Sequence, residues 1–152
     1  MIRCYRLLCS MLVLSSTLAC AMDLSDEGTY AVVHLDGHVT TKLLRFYRSG
    51  DSWRLVEQKA DGTWNDDDAC QGCSLAPSSP EMVNSFMGGV PPAGMSAECV
   101  NNAVLAICRV MEGGGENATR QYGFVGLGGE RPRYLKLQRV SEEHGDRAAK
   151  PE

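Results

Sequence analysis

The chain has 152 residues, 43% of them hydrophobic and 22% charged, with 16 glycines; this is the composition of one globular domain and excludes a disordered, fibrous or coiled-coil chain. Fifteen Lys and Arg stand against 19 Asp and Glu, a formal charge of -4. The broad basic surface that drives nucleic-acid binding is therefore not expected.

Arg3 and Arg6 form a positive start, and Leu7 to Leu14 is an apolar run too short for a bilayer core, which needs about 20 residues. With Ala19-Cys20-Ala21 ahead of Met22, the pattern predicts a secretory signal peptide over residues 1–21. A second reading puts a lipid anchor on Cys20, because Leu18-Ala19-Cys20 partly resembles a bacterial lipobox; Thr17 stands where that motif prefers a large aliphatic residue. Cleavage before Met22 would remove Arg3 and Arg6, take the net charge to -6 and leave Cys70, Cys73, Cys99 and Cys108. No other apolar stretch is long enough to span a membrane. The expectation is a periplasmic or secreted, soluble β-rich domain over 22–140 and a flexible tail over 141–152, where apolar residues run out.

Thr29 to Leu35, Val39 to Tyr47 and Trp53 to Gln58 are rich in β-branched and aromatic residues, with Asp36-Gly37 and Ser49-Gly50-Asp51 as turns between them. Ala60-Asp61-Gly62 precedes Thr63-Trp64, which predicts a fourth strand of an antiparallel meander. From Asn65 to Ala97 the periodicity is lost among Pro77, Pro80, Pro91, Pro92 and several glycines, as in a long inserted loop. Within it, Ser79-Pro80-Glu81 has an N-cap, a first-turn proline and an acidic first turn, so a short helix is predicted over Pro80 to Met87.

Val100 to Met111 fits two patterns. Val100, Ala103, Val104, Ile107, Cys108 and Met111 make a helical stripe that Gly113 could cap. The compact apolar run from Val104 to Val110 instead reads as a strand, entered from Asn101-Asn102 and joined through Gly113 to Asn117 to a partner over Arg120 to Leu127. The strand reading is favoured, and Tyr134 to Val140 is a final strand. The predicted fold is mainly β: an antiparallel meander forming a small sandwich or barrel, with a Pro/Gly-rich insertion carrying one short helix.

Cys70-Gln71-Gly72-Cys73 has the spacing of thiol oxidoreductases, but Asp66, Asp67 and Asp68 just before it would raise a thiol pKa, and Ser74 to Pro77 is a poor helix start. Zinc ribbons use two tight cysteine pairs, which Cys99 and Cys108 do not form. Two disulfides in an oxidising compartment are the simpler expectation. The local pairing, Cys70 with Cys73 and Cys99 with Cys108, is favoured; a helical 100–111 would demand crossed pairs. His34, His38 and His144 have no nucleophile nearby in sequence, and G-x-S-x-G, H-E-x-x-H and phosphate-loop motifs are missing. Asp61 to Asp68 lacks calcium-loop spacing, and Asn117-Ala118-Thr119 matters as a glycosylation site only in a eukaryote. Neither an enzyme nor a metal or other cofactor is expected.

In plan, with a signal peptide, a meander, an acidic Cys-containing loop and closing strands, the chain resembles small periplasmic inhibitor and immunity proteins that neutralise secreted cell-wall-degrading enzymes, such as type VI effector immunity proteins and lysozyme inhibitors. The resemblance implies an exported inhibitor whose partner is a secreted, cationic cell-wall hydrolase. Asp66, Asp67 and Asp68, with Phe86 and Met87, are the partner-binding candidates, because a pinned acidic loop steers toward a basic enzyme at low entropic cost. A small-ligand carrier is the alternative, since a meander can close around a cavity. A thiol-redox protein using Cys70 and Cys73 ranks third.

Overall fold

The computed structural model describes residues 22–65, 74–115, 118–129 and 132–140. A short 3-10 turn, η1 (Leu24–Asp26), leads into β1 (Gly28–Val33), β2 (Val39–Ser49) and β3 (Ser52–Glu57). There follow β4 (Ser74–Pro77), α1 (Pro80–Met87), β5 (Met95–Asn101), β6 (Leu105–Glu112), β7 (Thr119–Gly126) and β8 (Arg133–Val140). Each strand pairs antiparallel with its neighbour in sequence, and β8 pairs with β1, so the meander closes into an eight-stranded barrel. Closure resolves the predicted choice between sandwich and barrel, and it removes exposed sheet edges.

Local chemistry explains the turns. The Asp36 carboxylate accepts from the His38 amide at 2.9 Å while Gly37 takes a φ of 85°, which an L side chain rarely tolerates. Asn102 turns β5 into β6 by accepting from the amides of Val104 and Leu105 at 2.8 and 3.0 Å. The predicted helix forms as expected: Ser79 caps the Met82 amide, Pro80 opens the first turn, and Gly88 ends it at a φ of 75°. Residues 100–111 hold parts of two paired strands rather than a helix, with Cys99 directly opposite Cys108.

Two expectations need correction. Thr63-Trp64 is not a fourth strand: the Asp61-Gly62 turn brings Trp64 opposite Gln58, with the Lys59 amide on the Thr63 carbonyl at 2.7 Å and the Asn65 amide on the Glu57 carbonyl at 2.9 Å, but the pairing is a single bridge. The stretch from Asn65 to Ala97 is not one irregular insertion, since it contains β4 and the start of β5. β4 is short, and Leu75 and Ala76 each find a partner across a neighbouring strand.

Side chains alternate between an inner and an outer cluster, as the period of a strand requires. Tyr30, Val32, Leu44, Phe46, Trp53, Leu55, Leu75, Val100, Ile107, Tyr122 and Leu137 fill the barrel interior. Phe46 stacks on Trp53 with centroids 4.5 Å apart, and Tyr30 meets Tyr122 at 5.0 Å. Outside the barrel, Val83, Phe86 and Met87 of α1 pack on Cys99, Ala106, Cys108 and Val125, so the disulfide lies beneath the helix. Among the described residues no helix is long and apolar enough to cross a membrane.

Candidate functional site

The strand directions give the barrel two unlike ends. One carries η1, the start of β1, the β2–β3 turn, the connection through α1 and the β6–β7 turn; the other carries the β1–β2, β5–β6 and β7–β8 turns and the connection from β3 to β4.

At the first end a polar network closes over the barrel centre, and beside it Met22, Trp53, Val83 and Val100 line a cleft of about 470 Å³. Asp26 is wholly buried, and its carboxylate accepts from Arg109 Nη1 at 2.7 Å and from the Tyr122 hydroxyl at 2.7 Å. Its backbone carbonyl accepts from the Tyr30 hydroxyl at 2.6 Å. Arg109, 4% exposed, also donates through Nη2 to Glu98 at 2.6 Å, and Asp23 lies 3.6 Å from its Nη1. Arg139 clasps the turn from outside by donating to the carbonyls of Ser25 and Glu27. Burial pushes the Glu98 carboxyl above the usual carboxylate range, against the pull of Arg109. The carboxylates of Asp26 and Glu98 raise Arg109 more than its burial lowers it, so the guanidinium stays charged. Each charge has an opposite partner within the wall, an arrangement that holds η1 in place.

Burial also raises the hydroxyls of Tyr30 and Tyr122 above the ordinary tyrosine value of about 10. A group whose folded pKa is raised stabilises the fold fully below its unfolded pKa, and that contribution is lost as pH climbs through the folded value. Stability should therefore hold up to about pH 10 and fall above it, with Tyr30 and Tyr122 ionising together with unfolding rather than before it. Early titration of all the tyrosines in a still-folded protein would contradict this.

Among the described residues, the second end holds a cup. Val32, Leu44, Leu55, Leu105, Phe124 and Leu135 line a cup of about 370 Å³, a volume within the range of small-ligand pockets. Its walls are almost wholly aliphatic. At the lip, Lys42 Nζ lies 3.0 Å from Glu57 Oε1, with both side chains about half exposed, and Asn65 and Val104 complete the rim. Nearby, Leu35 at the β1–β2 turn is 95% exposed, and Val39 and Val104 are also open to solvent. Such a concave apolar site can hold a small ligand by burial and orient it by the few polar groups at its mouth.

No protein-family model, curated protein or solved structure matches this chain.

The predicted site residues are dispersed. Asp66, Asp67, Asp68, Cys70 and Cys73 lie outside the described residues, in the segment that connects Asn65 to Ser74. Cys99 and Cys108 form the favoured local disulfide. Phe86 and Met87 are half-buried against the outer cluster, where they anchor α1 to the barrel wall. His34 and His38 flank their turn as the sequence places them, His38 accepting the His34 amide through its carbonyl at 2.8 Å. Among the described residues, no cluster of three or more His, Cys, Asp or Glu is arranged to hold a metal ion. The cup and the Asp26–Arg109 pair were not singled out from sequence. Arg109 carried a signal, as a lone charge inside the apolar run Ala106 to Met111; the cup carried none, because its wall takes single residues from distant strands.

Proposed function

We propose that the protein is a non-enzymatic binding protein that holds a small apolar ligand in the aliphatic cup at one end of its barrel. The observation that carries this reading is the aliphatic cup, whose wall is drawn from six strands at one end of the barrel. The interior of an eight-stranded barrel is just wide enough either to be filled by side chains or to hold one small ligand, and here the filling stops short of the mouth. Export through the predicted signal peptide, to a periplasmic or extracellular site, belongs to the same proposal.

An environment-sensitive lipophilic dye should bind the purified protein with about one-to-one stoichiometry. Leu135→Arg, which puts a charge on the partly buried cup wall, should weaken that binding at least tenfold while leaving the opposite end intact. Equal dye binding by the wild type and this variant would place the dye elsewhere and remove the support.

A second reading, inhibition of a secreted cationic cell-wall hydrolase, is favoured by the exposed Leu35, Val39 and Val104 on the same end, since exposed apolar residues mark docking surfaces. Replacing Asp66, Asp67 and Asp68 together by Asn should then slow association with such an enzyme at low salt, with less than about 1 kcal/mol change in stability. Unchanged association across salt would count against the acidic segment as the steering element.

A further inference from the structure

We infer that the occupant of the cup is an unbranched acyl or alkyl chain of about eight to ten carbons, inserted tail first with an uncharged polar head at the Lys42–Glu57 pair. The inference rests on the ligand-binding reading and specifies its chemistry.

Three features of the cup select such a chain. Its wall is aliphatic except for Phe124, so it offers little of the stacking that recognises planar aromatic ligands. Polar side chains occur at the lip, which asks for a ligand apolar along its body and polar at one end. Its depth is limited, because the inner cluster continues beneath it as the buried Tyr30, Phe46 and Ile107. A cavity of about 370 Å³ has room for on the order of ten groups of ~30 Å³ each, the share of one water molecule in the liquid.

The lip also discriminates between heads. Lys42 offers a donor and Glu57 an acceptor, 3.0 Å apart, and Asn65 on the same rim offers both. A hydroxyl or primary amide can accept from Lys42 and donate to Glu57, leaving neither charge without a partner. A carboxylate head would have to share Lys42 with Glu57, placing two like charges side by side. The same chain could come from a free lipid or from a bilayer lipid that yields one tail.

The test is calorimetric titration of the full mature protein with straight-chain primary alcohols of increasing length. Affinity should rise about fourfold per added methylene, then level off near ten carbons as further methylenes stay in water. At equal length the alcohol should bind more tightly than the carboxylate. Phe124→Ala should move the plateau to longer chains, and Leu105→Trp should abolish binding, with melting curves confirming that both variants fold. An affinity that keeps rising well beyond the plateau, or a preference for the carboxylate, overturns the inference. Binding of a rigid polycyclic probe but of none of the alcohols overturns the chain while sparing the apolar-ligand reading. No binding of any apolar probe overturns both. Co-sedimentation with phosphatidylcholine vesicles separates the two sources: capture of the protein together with alcohol binding points to a bilayer lipid, alcohol binding alone to a free one, and capture alone overturns the inference.

Discussion

Asp26→Ala should destabilise the protein by about 3–5 kcal/mol, a fall in melting temperature of roughly 10–15 °C for a domain of this size. Truncation leaves the Arg109 guanidinium buried beside a cavity, takes the acceptor from the Tyr122 hydroxyl, and breaks the bond that orders η1 from within. Arg109 keeps its pair with Glu98 through the other guanidinium nitrogen, so the loss is that of the buried bonds to Asp26 and of the space it filled. Asp26→Ala with Arg109→Met, which also takes the partner of Glu98, should cost more than either single variant but less than their sum, because both singles lose the Asp26–Arg109 bond. Chemical denaturation of the two single variants and the double variant measures the coupling. A single Asp26→Ala variant within about 1 kcal/mol of wild type would show that the network is not structural.

Cys99→Ala with Cys108→Ala should cost about 3 kcal/mol, the chain-entropy value for a loop of about ten residues. Because both cysteines are buried beneath α1, with Cys108 at 0% exposure, mild reductants should act on the native protein only through transient opening. The effect should be local before it is global. Val83, Phe86 and Met87 lean on the bridged pair, so amide exchange in α1 should accelerate in the double variant more than exchange in β1 or β8. Uniform acceleration would mean that the bridge supports the whole barrel equally, and an unchanged melting temperature would contradict the entropic argument.

Legibility followed range. Asp36-Gly37 and Ser79-Pro80 with Gly88 state their geometry within a few residues, and the structure places a turn and a helix there. β4 was hidden because Ser74 to Pro77 is too short for a period to emerge, and its proline argued for a loop. Thr63-Trp64 misled for the opposite reason: the right residue types followed a good turn signal, but the pairing it starts stops at one bridge. Closure was open because the seam joins the first strand to the last, and the polar network depends on Asp26 and Arg109, which stand 83 positions apart. The cup is a space left between side chains from six strands, and no local pattern encodes a space.

The meander makes assembly directional. Hairpins from β2 to β7 can zip in sequence order at small loop-closure entropy, since each strand waits only for the next. The seam is different: Thr29 must find Val140, and the contacts of Ser25 and Asp26 with Arg109, Tyr122 and Arg139 span 83, 96 and 114 positions. Until β8 is present, β1 displays an unpaired edge and η1 has no complete socket. A chain truncated before Arg133 would be left as an open, curled sheet with two sticky borders, prone to pair with its own copies. The last eight residues of the barrel thus act as its clasp, and closure waits for β8.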